Sequence, residues 1–162
     1  MPEFSTDIFT RFDKQWGLLC AGTMANHNAM SISWGGMGTL WNKPVVTVYV
    51  NPLRYTYQFM EENDYFTVSF LPEELKKIHG VMGVKSGRDT DKDREARLTP
   101  VPAGESVTYA EAAVTLLCRK IYHQDFNIDQ VPADVVAEHY LTEPVHRMYI
   151  GEVIDIIRNT EE

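Results

Sequence analysis

Cysteine occurs only twice in the 162 residues, no stretch approaches the ~20 apolar residues of a membrane-spanning helix, and 15 Lys and Arg face 23 Asp and Glu. Each shortage excludes something. Cys20 and Cys118 are too few for a disulfide framework, and both lie in apolar runs, GLLCAG and TLLCRK, where reduced core thiols are expected. Neither they nor the five histidines, His27, His79, His123, His139 and His146, show metal-ligand spacing, so no metal is expected. A formal charge of −8 argues against a protein that grips nucleic acid by its phosphates. The opening MPEFSTDIFTRFDK lacks the basic-then-apolar layout of a signal peptide, which predicts a cytoplasmic protein with no membrane partner. No GxGxxG follows a strand-like segment, so a dinucleotide held in the Rossmann manner is not expected. Internal repeats, linkers and biased tracts are also absent, and residues 1–162 are expected to form a single globular domain.

What the chain does have is period-two alternation. PVVTVYV (44–50) and YFTVSFL (65–71) read as strands, and 17–23, 29–34, 114–122 and 147–157 are further candidates, the last with Gly151 as a bulge. Helices are fewer. Residues 52–62 carry Asn51 as N-cap and Pro52 at the first helical position, 72–82 set Leu75, Ile78 and Met82 on one stripe, and 132–140 form a third segment. The polar stretch 85–105 reads as a long loop or a frayed helix. Strands without regular βα alternation predict a mainly β protein, an antiparallel sheet or β-barrel with short peripheral helices.

Three clusters carry chemistry. In NPLRYT (51–56), Arg54 and Thr56 fall beside a helix start, where a guanidinium, a hydroxyl and unpaired N–H groups suit a terminal phosphate. In KSGRDTDK (85–92), Lys85 and Lys92 supply cations, Ser86 a hydroxyl, and Gly87 a close backbone approach; Arg88 and Arg94 read as solvated charges of a mixed loop. In NAMSISW (28–34), Asn28, Ser31 and Ser33 can bond a heterocycle edge and Trp34 can cover an aromatic face. Strand alternation puts Ser31 and Ser33 on one face and Ile32 and Trp34 on the other, so joint contact with one ligand needs backbone groups. The following GGMGTLW suggests a close turn, with Trp41 as a core aromatic. A phosphate clamp, a planar-ring surface and a polar edge together point to a phosphorylated aromatic ligand such as flavin mononucleotide.

The succession NAMSISW, a VxVxV strand, NPLRYT, YFTVSF, KSGRDTDK, a strand ending LLC and VHRMYIGEV resembles the flavin reductase-like family of FMN-binding split barrels, within it the flavoredoxin-like members. The resemblance spans the chain. It implies a Greek-key split β-barrel forming a homodimer, with FMN held non-covalently near the subunit interface. It places Asn28, Ser31, Ile32, Ser33 and Trp34 along the ring and ribityl chain, Arg54 and Thr56 on the phosphate, and Lys85, Ser86, Gly87 and Lys92 completing the site. His146 becomes the catalytic candidate, lining the flavin or the hydride donor, and His123 a second histidine near the cofactor. The implied activity is that of an FMN-dependent oxidoreductase taking hydride from NADH or NADPH and passing electrons to a small-molecule or protein acceptor. Two alternatives stand beside it: an FMN-binding electron carrier with no efficient nicotinamide site, and a structural or sensory split barrel without flavin.

Overall fold

The computed structural model describes residues 2–159. In chain order the strands are β1 Gly17–Gly22, β2 His27–Ile32, β3 Gly35–Leu40, β4 Lys43–Val50, β5 Tyr65–Phe70, β6 Pro100–Ala103, β7 Ser106–Tyr109, β8 Val114–Asp125 and β9 Arg147–Arg158. The helices are α1 Ile8–Thr10, α2 Thr56–Glu62, α3 His79–Met82, α4 Lys92–Ala96 and α5 Ala133–His139, with a π-helical turn over Arg11–Gln15 and 3₁₀ turns over Glu73–Ile78 and Ile128–Gln130.

Seven strands form one antiparallel sheet in the order β2-β1-β5-β8-β9-β4-β3, and β6 and β7 make a separate hairpin. The two outermost strands, β2 and β3, are consecutive in the chain with only Ser33 and Trp34 between them. Two residues span at most about 7 Å, so the sheet must curl until its edges approach each other there. This is the split-barrel arrangement, and it places the seam at the residues on which the sequence converges.

Alternate residues of β1 face opposite ways. Leu19 and Ala21 point into the barrel with Val46, Val48, Phe66 and Val68, whereas Leu18 and Cys20 pack outward with Met82, Leu98, Val107 and Tyr109. A strand buried on both faces has no reason to alternate, which explains the continuous apolar run GLLCAG. The outward layer matters for function because it anchors α3, α4 and the β6–β7 hairpin behind β2.

Several boundaries differ from the sequence-based expectation. The helix expected from residue 52 begins at Thr56: Asn51 accepts instead from Leu53 N (2.9 Å, through Oδ1) and Arg54 N (2.9 Å, through its carbonyl), closing a turn before the helix. Residues 72–82 divide into a 3₁₀ turn and α3. The 85–105 stretch contains α4, whose N-cap Asp91 accepts from Arg94 N at 3.1 Å, and the whole of β6. GGMGTL is strand β3, not a turn. The turn follows it, with Trp41 and Asn42 at φ 52° and 60° forming the two-residue link to β4. Trp41 is 62% exposed there, which overturns its reading as a core aromatic. The bulges fall at Ile121 and Ile154, the residues skipped in β8–β9 pairing, while Gly151 pairs with Lys120. Glycine is needed at 151 because a Cβ would lie 2.5 Å from the Phe66 ring.

Candidate functional site

Two clefts open along β2 and meet at Met30 and Arg54, which line both. The first holds about 330 Å³ and is bordered by Ser31, Ile32, Ser33 and Trp34, by Tyr49 and Asn51 from β4 and its end, by Gly83, and by His139, Glu143 and His146. The second holds about 140 Å³ and is bordered by Asn28, Tyr55 and Thr56 and by Lys85, Ser86, Gly87, Arg88 and Lys92. The fold therefore gathers every expected site residue except His123 around two adjoining clefts.

The second cleft is cationic. Lys92 opens α4 yet is 5% exposed, its Nζ donating to Ala29 O at 2.7 Å. Arg54 is partly buried and donates to Gly83 O at 3.3 Å. Neither pairs with a carboxylate among the described residues. Burial and the neighbouring Arg54 push the Lys92 ammonium down to about 8, and burial also lowers Arg54. Asp93 nearby offsets part of this for Lys92, yet two desolvated cations with no carboxylate in contact are costly unless an anion joins them. Arg88, read from sequence as a solvated charge, sits with its guanidinium 4.9 Å from the Tyr55 ring centroid and donates to Leu53 O at 3.2 Å. Lys85 pairs with Glu95 at 3.1 Å, and Ser86 Oγ accepts from Arg88 N at 3.2 Å. Arg94 is exposed, as expected of a solvated charge.

Asn28 and Thr56, both buried, bond each other through Nδ2 and Oγ1 at 2.8 Å, tying β2 to the first turn of α2. Gly87 closes on this pair: a Cβ there would lie 2.1 Å from Asn28 Oδ1 and 2.9 Å from the Tyr55 ring. Gly87→Ala should therefore force Asn28 or the 85–88 turn aside. We expect a stability loss of about 1–3 kcal/mol by denaturant titration, as for other overpacked sites. An unchanged midpoint would show that the turn yields freely.

In the first cleft the strand supplies backbone as well as side chains. Met30 and Ile32 are 7% and 5% exposed in the barrel core, and β2 has β1 on one edge and no strand on the other. Apart from Ala29 O, which takes Lys92 Nζ, its outer N–H and C=O groups have no strand partner, so backbone contact would let Ser31 and Ser33 act together with Ile32 and Trp34. Trp34 is 49% exposed, with its ring 5.4 Å from His139 and 5.3 Å from His146. His146 Nδ1 shares a 2.8 Å hydrogen bond with the Tyr140 hydroxyl, and burial, with His139 nearby, holds its pKa below the ordinary histidine value. Behind Ser31 lies a residue the sequence did not advertise. His79, 2% exposed, meets Ser31 Oγ through Nδ1 at 2.5 Å, and burial with Lys76 pushes its pKa down to about 4.

His123 lines neither cleft; it is exposed on β8 with its ring 6.4 Å from Tyr149. No cluster of His, Cys, Asp and Glu among the described residues could hold a metal ion. No described helix is long and apolar enough to cross a membrane.

Residues 9–162 match the family described as flavin reductase like domain. No curated protein sequence matches the chain. Among solved structures, flavoredoxin from Methanosarcina acetivorans is 21% identical, with a TM-score of 0.72 over 98% of this chain and 75% of that one. The FMN-binding domain of a flavin reductases-like enzyme from Shewanella baltica is 17% identical, with a TM-score of 0.68 over 94% and 73%. An FMN-binding protein from Thermus thermophilus, solved with bound 1-cyclohex-2-enone, is 15% identical, with a TM-score of 0.72 over 98% and 81%. At these identities the likeness is one of fold.

Proposed function

The chain belongs to the flavin reductase like domain family, and from that premise we propose that it is a cytoplasmic FMN-dependent oxidoreductase passing electrons from NADH or NADPH to a small-molecule or protein acceptor. One observation carries the reading: a polar and aromatic cleft and a cationic cleft containing Arg54 and Lys92, neither in an ion pair among the described residues, adjoin at Met30 and Arg54, which line both. That is the donor set a phosphorylated ring compound needs.

Arg54 and Lys92 would hold the phosphate by charge, Thr56 and Ser86 would add hydroxyls, and the close approach of Gly87 would bring backbone to it. Asn28, Ser31, Ser33, the outer edge of β2 and the Trp34 face would border the ribityl chain and ring. When bound, FMN supplies the hydride and electron chemistry. The chain's task is then orientation and exclusion of water, which fits a cleft lined by one carboxylate, Glu143, with no second one to pair it. His146, kept neutral by burial and oriented by Tyr140, faces the same cleft and would contact the ring or the hydride donor.

A homodimer is part of the proposal. It is supported by the unpaired outer edge of β3 and by Phe9 and Trp41, 87% and 62% exposed. Sedimentation velocity at micromolar concentration should give twice the monomer mass.

The deciding experiment is an absorption spectrum of the purified protein followed by anaerobic NADH or NADPH. Flavin bands that bleach rapidly with saturable kinetics support the enzyme. Bleaching only by dithionite or a partner would make the chain an electron carrier, and a colourless protein that binds no added FMN would remove the flavin reading. Trp34→Ala should alter bound-flavin fluorescence while the denaturation midpoint moves by less than about 1 kcal/mol equivalent, because a half-exposed indole contributes little to the core. Loss of the folded barrel would instead make Trp34 a core residue.

A further inference from the structure

His79 is costly where it stands. Its ring is 2% exposed and its only side-chain hydrogen bond among the described residues is to Ser31 Oγ at 2.5 Å, with the Trp16 ring edge-on at 5.7 Å. A leucine or phenylalanine would fill that space without desolvating two ring nitrogens. The surroundings are nevertheless built to press it against β2. Gly83 N donates to His79 O at 2.9 Å, and a Cβ on Gly83 would lie 3.0 Å from that oxygen and 3.2 Å from Ser31 Cβ. Glycine at 83 is what allows α3 to approach Ser31 so closely. Ser31 borders the first cleft; His79 does not.

We propose that His79 is a positioning residue that donates from Nδ1–H to Ser31 Oγ and thereby directs the Ser31 hydroxyl proton into the first cleft as a hydrogen-bond donor for the flavin ring. The inference rests on the FMN reading of the cleft. A neutral imidazole carries one ring proton, and its location decides what Ser31 offers. With the proton on Nε2, that N–H would have no hydrogen-bond partner among the described residues, while Ser31 would spend its own proton on His79. With the proton on Nδ1, the unpaired group is an acceptor, which burial tolerates better than an orphan donor. The second arrangement also suits the ligand. The polar edge of an oxidised flavin presents two carbonyl oxygens and two bare ring nitrogens against one N–H, so a directed donor is what most of that edge can use. A ring that stays neutral adds no charge to the cleft, so its effect is one of direction alone.

The test uses the full chain, FMN and four variants: His79→Phe, His79→Asn, Ser31→Ala, and Ser31→Ala with His79→Phe. FMN affinity is read by fluorescence titration, the midpoint potential of the bound flavin by spectroelectrochemistry, and the ring tautomer by ¹⁵N NMR of the FMN-free protein. His79→Phe should weaken FMN binding about three- to tenfold, the worth of one well-directed hydrogen bond, and shift the potential. His79→Asn, whose amide can donate from near the Nδ1 position, should restore most of both. The double variant should be no weaker than Ser31→Ala alone, because both single changes remove the same directed proton. In the FMN-free protein, NMR should find the proton on Nδ1. Unchanged affinity and potential in a folded His79→Phe, strictly additive losses, or a proton on Nε2 would overturn the proposal while leaving the FMN reading intact. Wild-type protein that binds no FMN would overturn both. If His79→Phe does not fold, His79→Asn and Ser31→Ala against wild type carry the same comparison.

Discussion

Replacing Arg54 by alanine should weaken FMN binding by about 1–3 kcal/mol, roughly 5- to 150-fold in Kd, while affinity for riboflavin, which lacks the phosphate, stays within about twofold. The size follows from the electrostatics of the second cleft. Arg54 is desolvated and held by one neutral acceptor, Gly83 O, so its charge is uncompensated in the free protein. An anion that reaches it gains a charge-assisted contact without first breaking an ion pair. The free protein should lose little stability, because removing one of two adjacent cations relieves the other, and the Lys92 ammonium, lowered first by burial and then by Arg54, should rise. The same logic sets a pH dependence. Lys92 sits at about 8 in the free protein, so FMN should bind more weakly above that pH as the ammonium loses its proton. Equal losses for FMN and riboflavin would place Arg54 at the ring instead, and no loss for either would remove it from the site.

Much of this was readable from the chain, and the exceptions have physical causes. PVVTVYV announces itself by alternation because one face is more deeply buried, and YFTVSF, buried on both faces, does so because Thr67 and Ser69 alternate with Phe66, Val68 and Phe70 of the barrel core. β3 was hidden because three glycines in GGMGTL lower strand propensity and leave no side-chain pattern; register with β4 holds it in place. β6 was hidden by Pro100 and Pro102, which a two-stranded hairpin tolerates where a central strand would not. The cation cluster was legible because NPLRYT and KSGRDTDK are compact segments whose polar groups need only be brought face to face. His79 was not, because its partner is 48 positions away and nothing local to KIHGVM distinguishes a buried imidazole from a surface one. The position of His123, which lines neither cleft, was hidden for a further reason. The bulge at Ile121 inserts one residue into β8, and a one-residue slip exchanges the faces of everything beyond it. Alternation counted from LLC therefore gives no guide to where residues 122–125 point.

The same buried imidazole gives the second large expectation, that the protein loses about 2 kcal/mol of stability between pH 8 and pH 5 through His79 alone. Its folded pKa is about 4 against 6.5 for an ordinary histidine. Between these values the unfolded chain binds a proton that the folded chain refuses, so stability is fully present above pH 6.5, falls as pH drops below it, and levels off only below pH 4. At 2% exposure the ring has little solvent to screen this penalty. His146, also lowered, adds loss of the same sign. His27 acts oppositely: its bond to Asp93 at 2.6 Å raises its pKa, so its contribution is present below 6.5 and disappears as pH rises through the raised value. The Asp and Glu side chains whose pKa values are depressed, Glu61 and Asp125 among them, give up their contributions only below their ordinary values near 4. The interval from pH 6.5 to 5 is therefore a window in which histidines dominate. Urea midpoints at pH 8, 6 and 5 should fall steeply in the wild type and less steeply in His79→Phe, so that the variant gains about 2 kcal/mol relative to the wild type from pH 8 to pH 5. Parallel curves would mean that His79 is protonated in the fold at pH 5, and the neutral imidazole behind Ser31 would have to be abandoned.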